Sequence, residues 1–548
     1  MAEPIIKQFD LEELLDYIEK RNVAIPEFQR GYVWKEKQVK DLFDSLVKGY
    51  PIGSFIVWKT NQKMGTRRHL FVKEPKSSNE KYLVLDGQQR LLSLYYLCKQ
   101  NLFLKVKSDF EEVCERKPLE FEHFYFTGKT KPKLNYSSDK TSEFNFEEFK
   151  KKLGRKYKFP VIIVSINEFE KAIEIFERIN QKGTKISTEA IFLSEAWNKK
   201  TNLGGILRKW KNDKKTTPSS KLENIIFIHT LAIILQLEKI GDEYNPKNVD
   251  TSLRQLKKIA EKIREEKTKL YEKEFKKVLS AITEAMSFLE REFKIKKINE
   301  LPSQTIVSIL SVFFYYCDEP SKKQTKELKE WFWRSSLGSR YVGAEYNKSI
   351  RKDPIRMKEL AKHNKPLDIP KADLEFNEIM NTDMRAGRST VRNAIKLMLW
   401  NKEPIWISGA EINRDEVESR KRRKEDDHFY PYDFYEEGVI SNENEINSIL
   451  NLCYLPKSEN SKKRANLPSR WLEERKKSFK SKIEDEEQFF SSNLLQFKSI
   501  EKLRNKELEL VTKNGSIKPN KFREYYRNFV EQRFELFKKE LNHLQRGL

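Results

Sequence analysis

The spacing of apolar residues in this chain changes character partway along, and that change limits the folds open to it. Phe55-Ile56-Val57-Trp58, Tyr82-Leu83-Val84-Leu85 and Val161-Ile162-Ile163-Val164 are short β-branched or aromatic runs of strand type. All fall in the first third. Over residues 191–400 the apolar positions recur at helical spacing instead, with long amphipathic segments such as 253–289. A length of 548 residues exceeds what one hydrophobic core usually serves, which favours two to four domains. The expectation is an α+β multidomain chain: an α/β domain over 1–195, a helical domain over 196–400, and a third domain over 401–548 ending in helices.

Local signals support the first domain. Asp10 is placed to cap a helix whose apolar stripe is Leu11, Leu14, Leu15 and Ile18. Val39, Leu42, Phe43, Leu46 and Val47 share one face of a second helix, which Gly49 and Pro51 close. Leu91, Leu92, Tyr95 and Tyr96 predict a helix directly after the second strand run. From Trp471 onward the tail reads as helical, with a strongly periodic segment around Phe529, Phe534 and Phe537.

Lys plus Arg number 107 against 83 Asp plus Glu, a net charge of +24 that fits a polyanionic partner, phosphate backbones first. Cys98, Cys114, Cys317 and Cys453 are scattered, with no C-x-x-C pair for a zinc ribbon or redox couple, which fits reduced thiols in a cytoplasm. The N-terminus lacks a basic region followed by an apolar one, and no apolar run approaches the roughly 20 residues that span a bilayer. The expectation is a cytoplasmic chain without a membrane partner; self-association is left open. The lysine-rich stretches at 209–221 and 294–297 read as solvated connections or helix faces.

Near the C-terminus stand Asp427-His428-Phe429-Tyr430-Pro431, then Asn451, then Asn460 nine positions on. That is the residue order of an HNH nuclease with its metal site. Phosphodiester hydrolysis needs a base to deprotonate water and a divalent cation to hold phosphate oxygens as charge develops. His428 can be the base, and Asp427 and Asn460 can be oxygen ligands for Mg2+ or Mn2+. Asn451 is expected to tie the loop carrying His428 and to fix the imidazole orientation. In this ββα-metal arrangement Leu452-Cys453-Tyr454-Leu455 makes the second strand, and a helix begins at Ser458. The run Arg420-Lys421-Arg422-Arg423-Lys424 before the site could contact phosphate, with a solvated charge run nearly as good an account. His69, His123, His229, His363 and His543 have no ligand pattern around them, and His229 reads as a core residue.

At the other end, Ile25-Pro26-Glu27-Phe28-Gln29-Arg30 and Asp86-Gly87-Gln88-Gln89-Arg90 interrupt apolar patterning. The second lies at a strand-to-helix junction, where backbone N–H groups can dock an anion with help from an arginine. A D-G turn with a capped helix accounts for most of this signal by itself. Gly183-Thr184-Lys185 lacks the earlier glycine of a P-loop.

The motifs I-P-E-F-Q-R-G-Y-V-W, L-V-K-G-Y-P-I-G-S, D-G-Q-Q-R-L-L-S-L and F-E-R-I-N-Q-K-G-T-K-I-S, spaced over residues 25–187, together resemble the N-terminal domain of the GmrSD restriction endonucleases. The stretch from Glu425 to Trp471 resembles that family's HNH-type C-terminal domain, and is similar in D-H-x-x-P and asparagine spacing to the HNH domains of RNA-guided CRISPR nucleases. The resemblance implies a ParB/sulfiredoxin-like fold and a nucleoside triphosphate held by Asp86, Gly87, Gln88, Gln89 and Arg90, with Gln29 and Arg30 nearby. It also implies Asp427 as metal ligand, His428 as base, Asn451 as loop support and Asn460 as second ligand. Phe429-Tyr430 stands where a smaller aliphatic residue is more usual, a matter of packing. Phe176, Asn180 and Gly183 read equally well as helix packing and a glycine turn, and Trp331-Phe332-Trp333-Arg334 with Arg340-Tyr341 read mainly as core.

The function expected from all this is a nucleotide-regulated, metal-dependent DNA endonuclease of antiphage restriction, acting on modified foreign DNA. The alternatives are a nucleotide-gated DNA-binding regulator with a degenerate nuclease domain, and an RNA-directed HNH nuclease or toxin.

Overall fold

The computed structural model describes residues 3–20, 23–26, 29, 34, 36–61, 66–67, 81–98, 124–125, 133–134, 157–166, 168–179, 187–198, 200–238, 248–266, 268–385, 389–414, 428–456, 459, 463 and 466–547. They form two compact units. One takes Met1–Asp213 and Ser252–Phe275, the other Lys214–Thr251 and Lys276–Leu548.

The first unit is built on a mixed sheet. Its elements in chain order are β1 (Ile5–Phe9), α1 (Leu11–Lys20), β2 (Val23–Pro26), α2 (Glu36–Val47), β3 (Phe55–Thr60), the two-residue β4 (Thr66–Arg67), β5 (Lys81–Asp86) and α3 (Gln88–Cys98). A small ribbon of β6 (Phe124–Tyr125) and β7 (Lys133–Leu134) follows, then β8 (Phe159–Ser165), α4 (Phe169–Ile179) and α5 (Thr188–Glu195). Among the described residues the sheet order is β1-β8-β3-β5-β2-β4. β8 and β3 are parallel, as are β5 and β2, whereas β1/β8, β3/β5 and β2/β4 are antiparallel.

Side chains alternate across a strand, so each strand feeds two layers. Val57, Val84, Val161 and Ile163 face one way and pack with Leu11, Leu14 and Ile18 of α1, Leu42 and Leu46 of α2, and Leu91 and Tyr95 of α3. Trp58, Leu83 and Leu85 face the other, against Ala172, Ile175 and Phe176 of α4 and Ile191 of α5. Strand runs apolar at nearly every position are what a sheet covered on both faces requires. The strands and helices expected of this α/β region are present, joined by α4 and the edge strands β1 and β4.

The second unit, among its described residues, is overwhelmingly helical. Asn224–Leu237 and Thr305–Tyr316 are apolar almost all round and lie in its core. Trp331, Phe332 and Trp333 are buried: Trp331 Nε1 donates to the Tyr341 hydroxyl at 2.9 Å, and Phe332 stacks on Phe293 at 3.8 Å. Arg340 grips Asp353 through two N–H groups at 2.7 and 2.9 Å, so Arg340-Tyr341 serves packing as well. The tail forms the helices Pro468–Phe479, Ile483–Ser492, Ile500–Glu507 and Pro519–Leu544, the last burying Phe529, Phe534 and Phe537.

The expected strand over 452–455 does not form. Leu452 makes one isolated antiparallel bridge to His428, and residues 453–456 run without ladder partners. The reason lies in neighbouring groups: the Asn493 amide oxygen takes the Tyr454 N–H at 3.1 Å, and the buried guanidinium of Arg533 takes the Leu452 carbonyl. Backbone groups that a second strand would use are already satisfied. The helix expected from Ser458 falls outside the described residues apart from Glu459, which is helical.

Candidate functional sites

In the first unit three sequence motifs meet at one end of the sheet. β5 ends at Asp86, Gly87 turns the chain at φ +85°, and α3 starts at Gln88. Only a glycine suits that turn, because a Cβ there would lie 2.5 Å from the Phe55 ring. The Gln29 side-chain amide, 3% exposed, donates to the Val84 and Leu85 carbonyls at the end of β5. Gln89 Oε1 accepts from Trp34 N at 3.4 Å.

Arg90 is similarly committed. Its guanidinium donates to the Ile52 carbonyl, meets Asp86 Oδ2 at 3.2 Å, and lies 5.6 Å from the Phe55 ring centroid. A Cβ on Gly53 would come within 2.4 Å of Arg90 Nη1, and its φ of +84° is one that residues with side chains rarely adopt. Tyr157 completes the clasp: its hydroxyl accepts from Ile52 N at 3.0 Å and donates to the Tyr50 carbonyl at 2.7 Å. The structure thus brings Gln29, Asp86, Gly87, Gln88, Gln89 and Arg90 together, with Asp86 the half-exposed member. Arg30 lies outside the described residues. Phe176 packs on the far face of the sheet, while Asn180 and Gly183 are also outside them.

In the second unit His428 is buried, and its Nε2 lies 2.9 Å from Asn447 Oδ1. Its carbonyl accepts from Lys463 Nζ. Asn451, fully buried, works on the backbone around it: Oδ1 accepts from Tyr430 N, and Nδ2 donates to the Tyr430 and Ile446 carbonyls, each at 2.9 Å. Phe429 N also donates to the Asn451 carbonyl at 2.7 Å. Asn451 therefore holds the loop carrying His428, while the imidazole itself is held by Asn447. Asp427, Asn460 and the basic run 420–424 lie outside the described residues.

Two buried polar groups behind this loop could not be read from motifs. Arg533, from the helix Pro519–Leu544, donates to the carbonyls of Leu450, Leu452, Asn493 and Leu494, and burial lowers its pKa to about 10. Glu507 takes the Tyr430 hydroxyl at 3.1 Å and Ser469 N at 2.9 Å, and burial pushes its carboxyl up to about 7. Phe429 stacks on Phe529 at 5.6 Å. The aromatic pair after the histidine thus anchors its loop to the C-terminal helix. A signal was present in the periodic Phe529 segment, but nothing in the sequence pairs it with position 429. His229 lies half-buried in Asn224–Leu237, where burial lowers its pKa to about 4, and it is neutral at physiological pH.

A mixed sheet covered on both faces, with a glutamine-arginine clasp on a strand-to-helix turn, defines the class of the first unit. Residues 11–197 match the family described as GmrSD restriction endonuclease, N-terminal domain. An uncharacterized protein of Methanocaldococcus jannaschii is 22% identical to the chain, over 96% of this chain and 97% of its own length. Among the described residues no helix is long and apolar enough to cross a membrane.

Proposed function

We propose that this chain is a nucleotide-regulated, metal-dependent DNA endonuclease of a restriction system, acting on modified foreign DNA. The observation that carries the reading is the family match of residues 11–197 joined to a buried, oriented histidine in the second unit. His428 is the base that takes a proton from the attacking water. Asp427 and Asn460 offer the hard oxygen donors that Mg2+ or Mn2+ accepts, and a bound cation would stabilise charge on the cleaved phosphate. His428 is bonded to an amide oxygen through Nε2, which orients the ring.

In the first unit the start of α3 and the Asp86 carboxylate are the groups that face a nucleoside triphosphate. Helix N-terminal N–H groups suit phosphate, and Gln29 and Arg90 hold the turn that presents them. The positive charge of +24 supports DNA as the partner.

The test is nicking of supercoiled plasmid and of modified phage DNA with Mg2+, with and without each nucleoside triphosphate, beside His428→Ala and Asp86→Asn. His428→Ala is expected to abolish cutting, and Asp86→Asn to remove the nucleotide effect while leaving basal cutting. Cutting by His428→Ala at the parent rate would refute the reading. Nucleotide hydrolysis without cutting of any DNA would favour the regulator, and cutting of RNA alone would favour an RNA-directed nuclease.

A further inference from the structure

We infer that Asn447 sets the tautomer of His428, holding the proton on Nε2 and the lone pair on Nδ1, and is thereby a positioning residue for the base. The role as base rests on the function proposed above; the tautomer does not.

A neutral imidazole has one N–H and one acceptor nitrogen, and which is which depends on what each nitrogen meets. Nε2 meets an amide, and an amide can present either its oxygen or its NH2. The other end of the Asn447 amide settles this. Asn447 Nδ2 points at Glu443 Oε1, 3.4 Å away. The same Oε1 receives Arg385 Nη2 at 3.1 Å and the Tyr432 hydroxyl at 2.9 Å. A carboxylate ion-paired in this way only accepts. Turned over, the Asn447 amide would set its oxygen against the carboxylate oxygen, with neither able to donate.

Asn447 cannot swing away from this choice easily. Its backbone N–H donates to the Glu443 carbonyl at 3.1 Å, and its carbonyl accepts from Met384 N at 2.9 Å. Arg385 lies 5.2 Å from the Tyr432 ring centroid, and the Tyr432 ring lies 5.9 Å from that of His428. On the other side, Lys463 fixes the His428 carbonyl. The amide oxygen therefore faces Nε2, so Nε2 is the donor and Nδ1 the basic nitrogen. A neutral acceptor orients the ring without placing a further negative charge beside it.

The experiment is long-range proton–nitrogen correlation on the full chain labelled with ring-15N histidine at mildly alkaline pH. The His428 signals are assigned by their loss in His428→Gln. The expected pattern is that of the Nε2–H form. In Asn447→Leu, of similar size but unable to accept, the signals should move toward a mixture of tautomers, and kcat for nicking should fall about 10- to 100-fold with KM little changed. Asn447→Asp, which still accepts, should restore the Nε2–H pattern. An Nδ1–H pattern in the parent, or an unchanged pattern in Asn447→Leu with its thermal unfolding intact, overturns the inference. A correct tautomer in a protein that cuts no DNA would instead tell against the proposed function.

Discussion

At the residue scale, the buried polar groups of the second unit are the ones whose removal should be felt most. Arg533 satisfies four backbone carbonyls around the loop that holds Asn451. Arg533→Met keeps much of the volume and leaves those carbonyls without their donor, so it should cost about 3–5 kcal/mol in urea unfolding. Glu507 gives a signed pH effect. Its folded pKa of about 7 exceeds the ordinary 4.5, so the folded state holds this proton where the unfolded state has lost it. The contribution is fully present below pH 4.5 and is lost as pH rises through 7. The difference in unfolding free energy between the parent and Glu507→Gln should shift by roughly 3 kcal/mol from acid to mildly alkaline pH, against the parent. In the first unit, Gly87→Ala must place a Cβ against Phe55 at φ +85°, and a loss of about 1–3 kcal/mol in thermal unfolding is expected.

At the scale of elements, α1 shows how far local sequence reaches. Asp10 accepts from Glu13 N at 2.9 Å and donates its own N–H to Glu13 at 2.8 Å, a reciprocal cap. Asp10→Ala should lower stability by about 0.5–2 kcal/mol in denaturant melts, with no change in the rest of the domain. The strands β3, β5 and β8 and the helices α1 to α3 were legible because each is an apolar pattern of one period. β1 was not: its Ile5 and Ile6 are exposed, and it is a strand only because β8 supplies a ladder. The segment 452–455 fails in the opposite sense. Its apolar run looks like a strand, but Asn493 and Arg533, 39 and 81 positions away from the groups they bind, take its hydrogen bonds.

At the scale of the whole molecule, the basic excess should appear in how the protein meets DNA. With +24 to distribute, binding measured by fluorescence anisotropy should weaken at least about tenfold between 50 and 200 mM salt, since each phosphate neutralised releases counterions. His428→Ala should leave that slope unaltered, because it removes no charge used for docking. A flat salt response would mean that the excess is spread over surfaces that do not touch DNA.

The sequence by itself determined the α+β class, the motif residues at both ends of the chain and the family resemblance of residues 11–197. Those depend on local periodicity and on residue order, which a linear chain carries in full. Only the tertiary structure decided what the motif residues touch. Gln29 and Arg90 spend their donors on protein carbonyls, Asn451 holds backbone, and Asn447, which no motif singled out, holds the imidazole. Hydrogen-bond partners are chosen by which groups meet where water is excluded, and residues distant in sequence supply much of that meeting.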